Sequence, residues 1–190
     1  MMDFEQDIAA CLQVLNRGGL ILYPTDTVWG IGCDATNAHA VSRIFTVKQR
    51  PQAKSLIVLV AEELQILRHV SQPDLQVFDF LRTVKKPTTV IYDGAIGLAS
   101  NVVAEDGTVA IRLVREAFCR HLVKRFRKPL VSTSANISGA PVPGNFSAID
   151  EKITSAVDYV VHFRQQETGV QEPSAIVRYN PDGTVTYIRS

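Results

Sequence analysis

The sequence predicts a single α/β domain built on a mixed sheet. Three observations carry that expectation. Short apolar runs alternate with helical segments through the first two-thirds of the chain, strands dominate the last third, and no repeat, low-complexity tract or linker interrupts them. Crossovers through helices imply parallel strand pairs, and hairpins imply antiparallel ones. A chain of 190 residues buries roughly 70% of its unfolded surface, so one domain spanning 1–190 needs no disulfide or metal to hold it.

The elements follow in order. Phe4, Ile8, Cys11, Leu12 and Leu15 recur at helical spacing, and Gly18-Gly19 ends that helix. Residues 20–23 read as a short buried strand closed by Pro24. Residues 38–47 form a helix with Val41, Ile44 and Phe45 on one face, and 55–60 are the near-continuous apolar run of a strand covered on both faces. Pro73 opens a helix carrying Leu75, Phe78 and Leu81. Residues 88–92 and 108–114 are β-branched strands. After them come a helix at 117–126, a strand at 130–133, a helix at 147–156 and a strand at 159–163. Strands at 174–179 and 184–188 make a hairpin around Asn180-Pro181-Asp182-Gly183. The stretch 93–107 has no clear period and is a candidate mobile flap over the site.

Composition narrows the function classes. The chain is 46% hydrophobic and 21% charged, with a net charge of +1, so no bulk basicity points to nucleic acid and any anion site must be a local cluster. No run approaches the roughly 18 apolar residues a membrane helix requires, and the acidic start (Asp3, Glu5, Asp7) is no signal peptide. Cys11, Cys33 and Cys119 are far apart and the four histidines are scattered, which implies reduced thiols, a cytoplasmic protein and no structural metal. GxxxxGK[ST], GxGxxG and GxSxG are all missing.

What remains is a set of polar clusters at strand ends, where open α/β sheets bind ligands. Residues 23–30 bring two threonines, Asp26 and Trp29 together after a strand, as a capped turn or as a polar pocket wall. Lys48, Arg50 and Lys54 either favour a helix C-terminus or, with Pro51 as a rigid exit, converge on a polyphosphate. Residues 130–139 carry four serine or threonine hydroxyls and Asn136, as a plain polar loop or as a nest for an anion. Thr108 and Arg112 lie on one face of a strand, and Arg112 is either a solvated edge charge or a carboxylate clamp.

Four blocks, YPTDTVWGIGCDA, KQRPQAKSLIVLV, TVAIR and PLVSTSANISG, in this order and spacing, resemble the YrdC-like threonylcarbamoyl-AMP synthases from about Leu20 to Arg189. The resemblance implies a single-domain member with a curved, twisted mixed sheet whose concave face holds a basic cavity. It implies an enzyme that makes L-threonylcarbamoyladenylate and pyrophosphate from L-threonine, bicarbonate or CO2, and ATP, for threonylcarbamoyladenosine in tRNA. Magnesium would accompany the ATP phosphates with no protein metal site. The partners implied are tRNA or double-stranded RNA and other proteins of the threonylcarbamoyl-transfer system, with no membrane.

By motif, the resemblance places Thr27, Leu59, Arg112, Ser132 and Ser174 at threonine, and Arg50, Lys54, Thr108, Ser134, Asn136, Val142 and Arg189 at ATP. Lys48, Arg50, Lys54 and Arg112 would supply the cationic field that lets a carbamate approach a polyphosphate, with Lys48, Arg50 and Arg112 as the catalytic set. Two stretches depart from the family pattern: Lys85-Lys86-Pro87-Thr88-Thr89 stands for a PGP-L-T stretch, and residues 172–178 replace an acidic-Ser-Thr run ending in Asp. Two other readings use the same features, a non-catalytic RNA-binding module and a divergent paralogue acting on another carbamate.

Overall fold

A computed structural model describes residues 4–51 and 56–190. Among them nine strands form one sheet in the order β7-β1-β2-β6-β3-β5-β4-β8-β9. These are β1 (Ile21–Tyr23), β2 (Gly30–Gly32), β3 (Ile57–Val60), β4 (Thr88–Tyr92), β5 (Val109–Leu113), β6 (Leu130–Ser134), β7 (Tyr159–Val160), β8 (Ala175–Tyr179) and β9 (Val185–Arg189). The sheet is mixed, as expected. β3 with β5, β4 with β8 and β1 with β7 run parallel, and the other neighbours run antiparallel.

Helices α1 (Glu5–Asn16), α2 (Ala38–Lys48), α3 (Glu63–His69), α4 (Gln76–Thr83), α5 (Ala117–Phe126) and α6 (Glu151–Thr154) start and stop for local reasons. Asn37 caps α2 by accepting the Ala40 N–H, and Glu116 caps α5 by accepting those of Phe118 and Cys119. Gly18 leaves α1 with φ +77, a conformation only glycine adopts freely, and its N–H returns to the Leu15 carbonyl. α1 buries Ile8, Cys11 and Leu15 and packs against α5, while the Phe4 ring meets the edges of Phe118 and Phe163.

Strand register decides which side chains share a face. Val131, Val58, Ile111, Val90 and Val177 are successive partners across β6, β3, β5, β4 and β8, and each is at most 1% exposed. This apolar rung belongs to the core. One residue along, on the other face, the partners run Leu59, Arg112, Thr89, Ile176 and Arg189 across β3, β5, β4, β8 and β9.

The structure departs from the sequence reading in five places. Residues 30–32 form a strand despite their Gly-Ile-Gly sequence. A Cβ on Gly32 would lie 2.7 Å from both the Tyr23 ring and the Val131 carbonyl, so close strand approach replaces the side-chain signal. α3 was not expected, because it buries only Ile66 and leaves Leu64 and Leu67 exposed. The helix expected over 147–156 is instead a 3-10 turn (Phe146–Ala148) and the short α6, separated where Asp150 turns its carboxylate onto the Lys152 N–H. The stretch 93–107 is irregular but tied down. Its Ala95, Ile96, Ala99 and Ala104 N–H groups bond the carbonyls of Gly107, His69, Ala35 and Thr108, and Ala99 and Val102 are buried.

The strand expected over 159–163 stops at Val160 because Asp7 takes over the backbone beyond it. Asp7 Oδ1 accepts the His162 N–H at 3.0 Å and the Tyr159 hydroxyl at 2.6 Å, and Oδ2 accepts the Phe163 N–H at 2.8 Å. Burial alone would raise the Asp7 pKa, but these donors together hold it below the usual carboxylate value. A depressed carboxylate pKa contributes stability that is present above the unfolded value near 3.8 and fades as the pH falls through the folded one. Asp7→Ala is therefore expected to cost about 1–3 kcal/mol at pH 7. Denaturant unfolding should show the gap to wild type narrowing toward pH 3, and a gap that does not narrow would contradict this assignment.

Candidate active site

The second rung described above opens onto a cleft of about 170 Å³. It is lined by Thr27, Gly30, Arg50, Arg112, Ser132, Thr133, Ser134, Val142, Ser174 and Arg189, among others. β1 delivers Thr27 through the turn that follows it. α2 ends with Gln49 in a left-handed conformation, and the chain swings back so that Arg50 reaches the cleft. Arg112 arrives on β5, the serines on β6, and Ser174 and Arg189 flank the C-terminal hairpin.

Three guanidinium groups thus line one cleft. Burial lowers the pKa of Arg50 and that of Arg189, with Arg112 lowering Arg189 further, yet guanidinium stays charged at neutral pH. Arg112 is only 3% exposed, and its Nη2 lies 3.0 Å from Asp26 Oδ1. Arg189 donates from Nε to the Ser174 carbonyl at 3.0 Å, and the Ser174 hydroxyl shares a 2.8 Å hydrogen bond with Thr89. The Thr25 and Thr27 hydroxyls lie 2.9 Å apart, and the Thr27 N–H donates to Thr25 Oγ1. Burial pushes the Tyr23 hydroxyl and the Cys119 thiol well up, so neither supplies an anion near this site at neutral pH.

Hydroxyl donors and guanidinium groups of this kind suit carboxylates and phosphates. They offer few ligands to a resident metal, and no cluster of three or more His, Cys, Asp or Glu suited to a metal is found among the described residues.

Of the residues expected at the site, Thr27, Arg50, Arg112, Ser132, Ser134, Val142, Ser174 and Arg189 line the cleft. Lys54 lies outside the described residues. Four others stand elsewhere. Lys48 is 1% exposed, and its ammonium points at the turn after β6, donating to the Ser134 and Asn136 carbonyls. Asn136 is spent on the same turn, accepting from Ser134 Oγ and donating to the Ile137 and Ala140 carbonyls. Thr108 gives its hydroxyl to Asp106 at 2.7 Å. Leu59 sits on the rung beside Arg112 but is fully buried. Lys48 and Asn136 thus hold the turn after β6, and none of these four residues is among those that line the cleft.

The model of the Sua5/YciO/YrdC family, described as "Telomere recombination", matches residues 13–190. The chain belongs to this family. A protein of Pseudoalteromonas translucida (strain TAC 125) called threonylcarbamoyl-AMP synthase is 32% identical over 178 residues, 92% of this chain and 94% of that one. The crystal structure of P. abyssi Sua5 complexed with L-threonine superposes with a TM-score of 0.85 at 23% identity, covering 97% of this chain. The chain spans about half of that Sua5, 54% of its length. E. coli YciO superposes with a TM-score of 0.82 at 18% identity over 97% of this chain and 89% of its own. The last two likenesses establish the Sua5/YciO/YrdC fold. No helix among the described residues is long and apolar enough to cross a membrane.

The sequence pattern overlooked Thr89 and the structural use of Lys48. Thr89 carried a signal only as part of the altered 85–89 stretch, since its meaning comes from the Ser174 hydroxyl across the sheet. Burial brings the Lys48 pKa down to about 8, with Arg50 adding to the effect, so the side chain is still charged at pH 7. Lys48→Met leaves two carbonyls without their donor and is expected to cost about 1–3 kcal/mol of stability. Chemical denaturation checks this, and a variant as stable as wild type would remove Lys48 from the framework of the turn.

Proposed function

We propose that this protein is a threonylcarbamoyl-AMP synthase, a nucleotidyltransferase that joins L-threonine, CO2 or bicarbonate, and ATP into L-threonylcarbamoyladenylate and pyrophosphate. The observation that carries the reading is the convergence of Arg50, Arg112 and Arg189 with the hydroxyls of Thr27, Ser132, Ser134 and Ser174 on one cleft. The relatives' name favours this over a non-catalytic RNA-binding module or an enzyme of another carbamate.

In this reading the buried Arg112 takes the threonine carboxylate, and Thr27, Ser132 and Ser174 hold the rest of the amino acid. The threonine amine forms its new bond to the carbon of CO2 and loses a proton to solvent, giving a carbamate. A carbamate oxygen then attacks the α-phosphorus of ATP, and pyrophosphate leaves with the electron pair of the broken P–O bond. Both reactants are anionic, so Arg50 and Arg189, with Lys54 in the same role, lower the repulsion and stabilise charge developing on the phosphates. Ser134, Thr108, Asn136 and the backbone at Val142 belong to the nucleotide side, Asn136 and Thr108 acting through the loops they shape. Leu59 backs the threonine side from its place beside Arg112 on the rung. Holding the reactants in line can itself remove about 7–11 kcal/mol of barrier.

Magnesium enters as the partner of the ATP phosphates, hence with the substrate. The adenylate would feed threonylcarbamoyl transfer to tRNA in the cytoplasm, through contact with other proteins of that system or with RNA. The three buried free thiols fit a reducing compartment.

Purified protein given ATP, L-threonine, bicarbonate and magnesium, with pyrophosphatase present, should release phosphate only when both threonine and bicarbonate are supplied. Release that ignores threonine would overturn the reading. Arg50→Ala should lose roughly 10²-fold or more in turnover with thermal unfolding unchanged. Near-normal turnover in that variant would remove Arg50 from the phosphate field.

A further inference from the structure

Arg112 and Asp26 touch in an unusual way. Their closest approach is 3.0 Å, with the Arg112 side chain 4% and the Asp26 side chain 12% exposed. Yet neither Asp26 Oδ1 nor Arg112 Nε has a hydrogen-bond partner among the described residues. The contact is an ion pair lying off the line of the N–H, so Asp26 neutralises Arg112 without consuming its donors in aligned bonds. Arg112 lines the cleft and Asp26 does not, so the guanidinium is the member of the pair that a ligand in the cleft meets.

Asp26 is itself held rigidly. Arg164, at a positive φ of 67, donates from Nη1 to the Thr25 carbonyl at 3.0 Å, and its own charge is balanced by Glu167. Thr25 Oγ1 donates to the Val28 carbonyl at 2.8 Å, and the Cys119 thiol meets the Pro24 carbonyl. The turn from Pro24 to Val28 is therefore fixed on both sides of Asp26. Arg112 shares the cleft with a second cation, Arg189, which stands at the other end of the same rung. Without a carboxylate behind it, a guanidinium buried this deeply, in a cleft shared with another cation, would be driven from its place.

We propose that Asp26 is a positioning residue for the amino-acid substrate: its carboxylate holds the Arg112 guanidinium in place against Arg189, with its remaining donors presented to the substrate carboxylate. The inference rests on the synthase reading and on Arg112 as the carboxylate clamp. It assigns Asp26 to amino-acid affinity and not to the nucleotide.

The test is steady-state kinetics of Asp26→Asn, Arg112→Lys and the double variant, with KM for L-threonine and KM for ATP measured separately. Asp26→Asn should raise the threonine KM at least tenfold while leaving the ATP KM within about twofold. On the Arg112→Lys background the same change should add little, because Asp26 acts through Arg112. An unchanged or lowered threonine KM would overturn the proposal, and a lowered one would make Asp26 a competitor for the clamp. Equal rises in both KM values, or full additivity with Arg112→Lys, would also overturn it. Should Asp26→Asn fail to fold, Asp26→Glu keeps the charge while displacing it by one methylene. It should then raise the threonine KM selectively, and a wild-type value would refute the idea. Threonine-independent turnover by the wild-type protein would instead sink the synthase reading itself, which keeps the two failures apart.

Discussion

A guanidinium as deeply buried as that of Arg112 has lost most of its hydration, and a charge in that position persists only if the surrounding structure supplies a counter-charge. Much of the cleft follows from this constraint. The turn after β1 brings Asp26 to it, Arg164 and Cys119 brace that turn, and the hydroxyls of Thr25 and Thr27 organise its inner side. Arg112 in turn sits on a rung that ends at Arg189, so one buried cation is made useful by a second one. The buried Arg112 and the more exposed Arg189 line one cleft even though the net charge of the whole chain is only +1.

The other side of the cleft depends on a buried ammonium. Lys48, at the end of α2, reaches the turn after β6 and satisfies the Ser134 and Asn136 carbonyls, while the Ser138 N–H returns to the Lys48 carbonyl. The same helix end that carries Arg50 toward the cleft is thereby fastened to the strand that carries Ser132 and Ser134. Cationic side chains two residues apart do different work: Lys48 builds the wall and Arg50 stands in it. Thr89 and Ser174 make a comparable fastening between β4 and the start of β8.

Where the sequence pattern missed, the reasons are physical. β2 has no side-chain pattern because its glycines exist to let Tyr23 and Val131 come close. The strand at 159 is short because a carboxylate from the first helix, distant in sequence, captures the backbone donors of His162 and Phe163. The aperiodic stretch 93–107 looked free because its restraints are backbone hydrogen bonds to residues elsewhere, which leave no periodic trace in its own side chains. The use of Lys48 and Asn136 in the turn after β6 left no trace in the sequence, because their partners there are backbone carbonyls, which every residue carries.

Apolar period, caps and turn residues act over a few positions, so the sequence by itself determined the helix of residues 117–126, the buried strand before residue 60 and the hairpin around Asn180-Pro181-Asp182-Gly183. Its four ordered blocks also marked out most of the residues that line the cleft. The tertiary structure alone decided which cations face one another. Arg112 and Arg189 share a rung only because β5, β4, β8 and β9 pair in a particular register, and a shift of one residue would send either side chain to the opposite face. Register is set by the packing of the Val131-to-Val177 rung against the core, and no local pattern near Arg112, Arg189 or Asp26 encodes it.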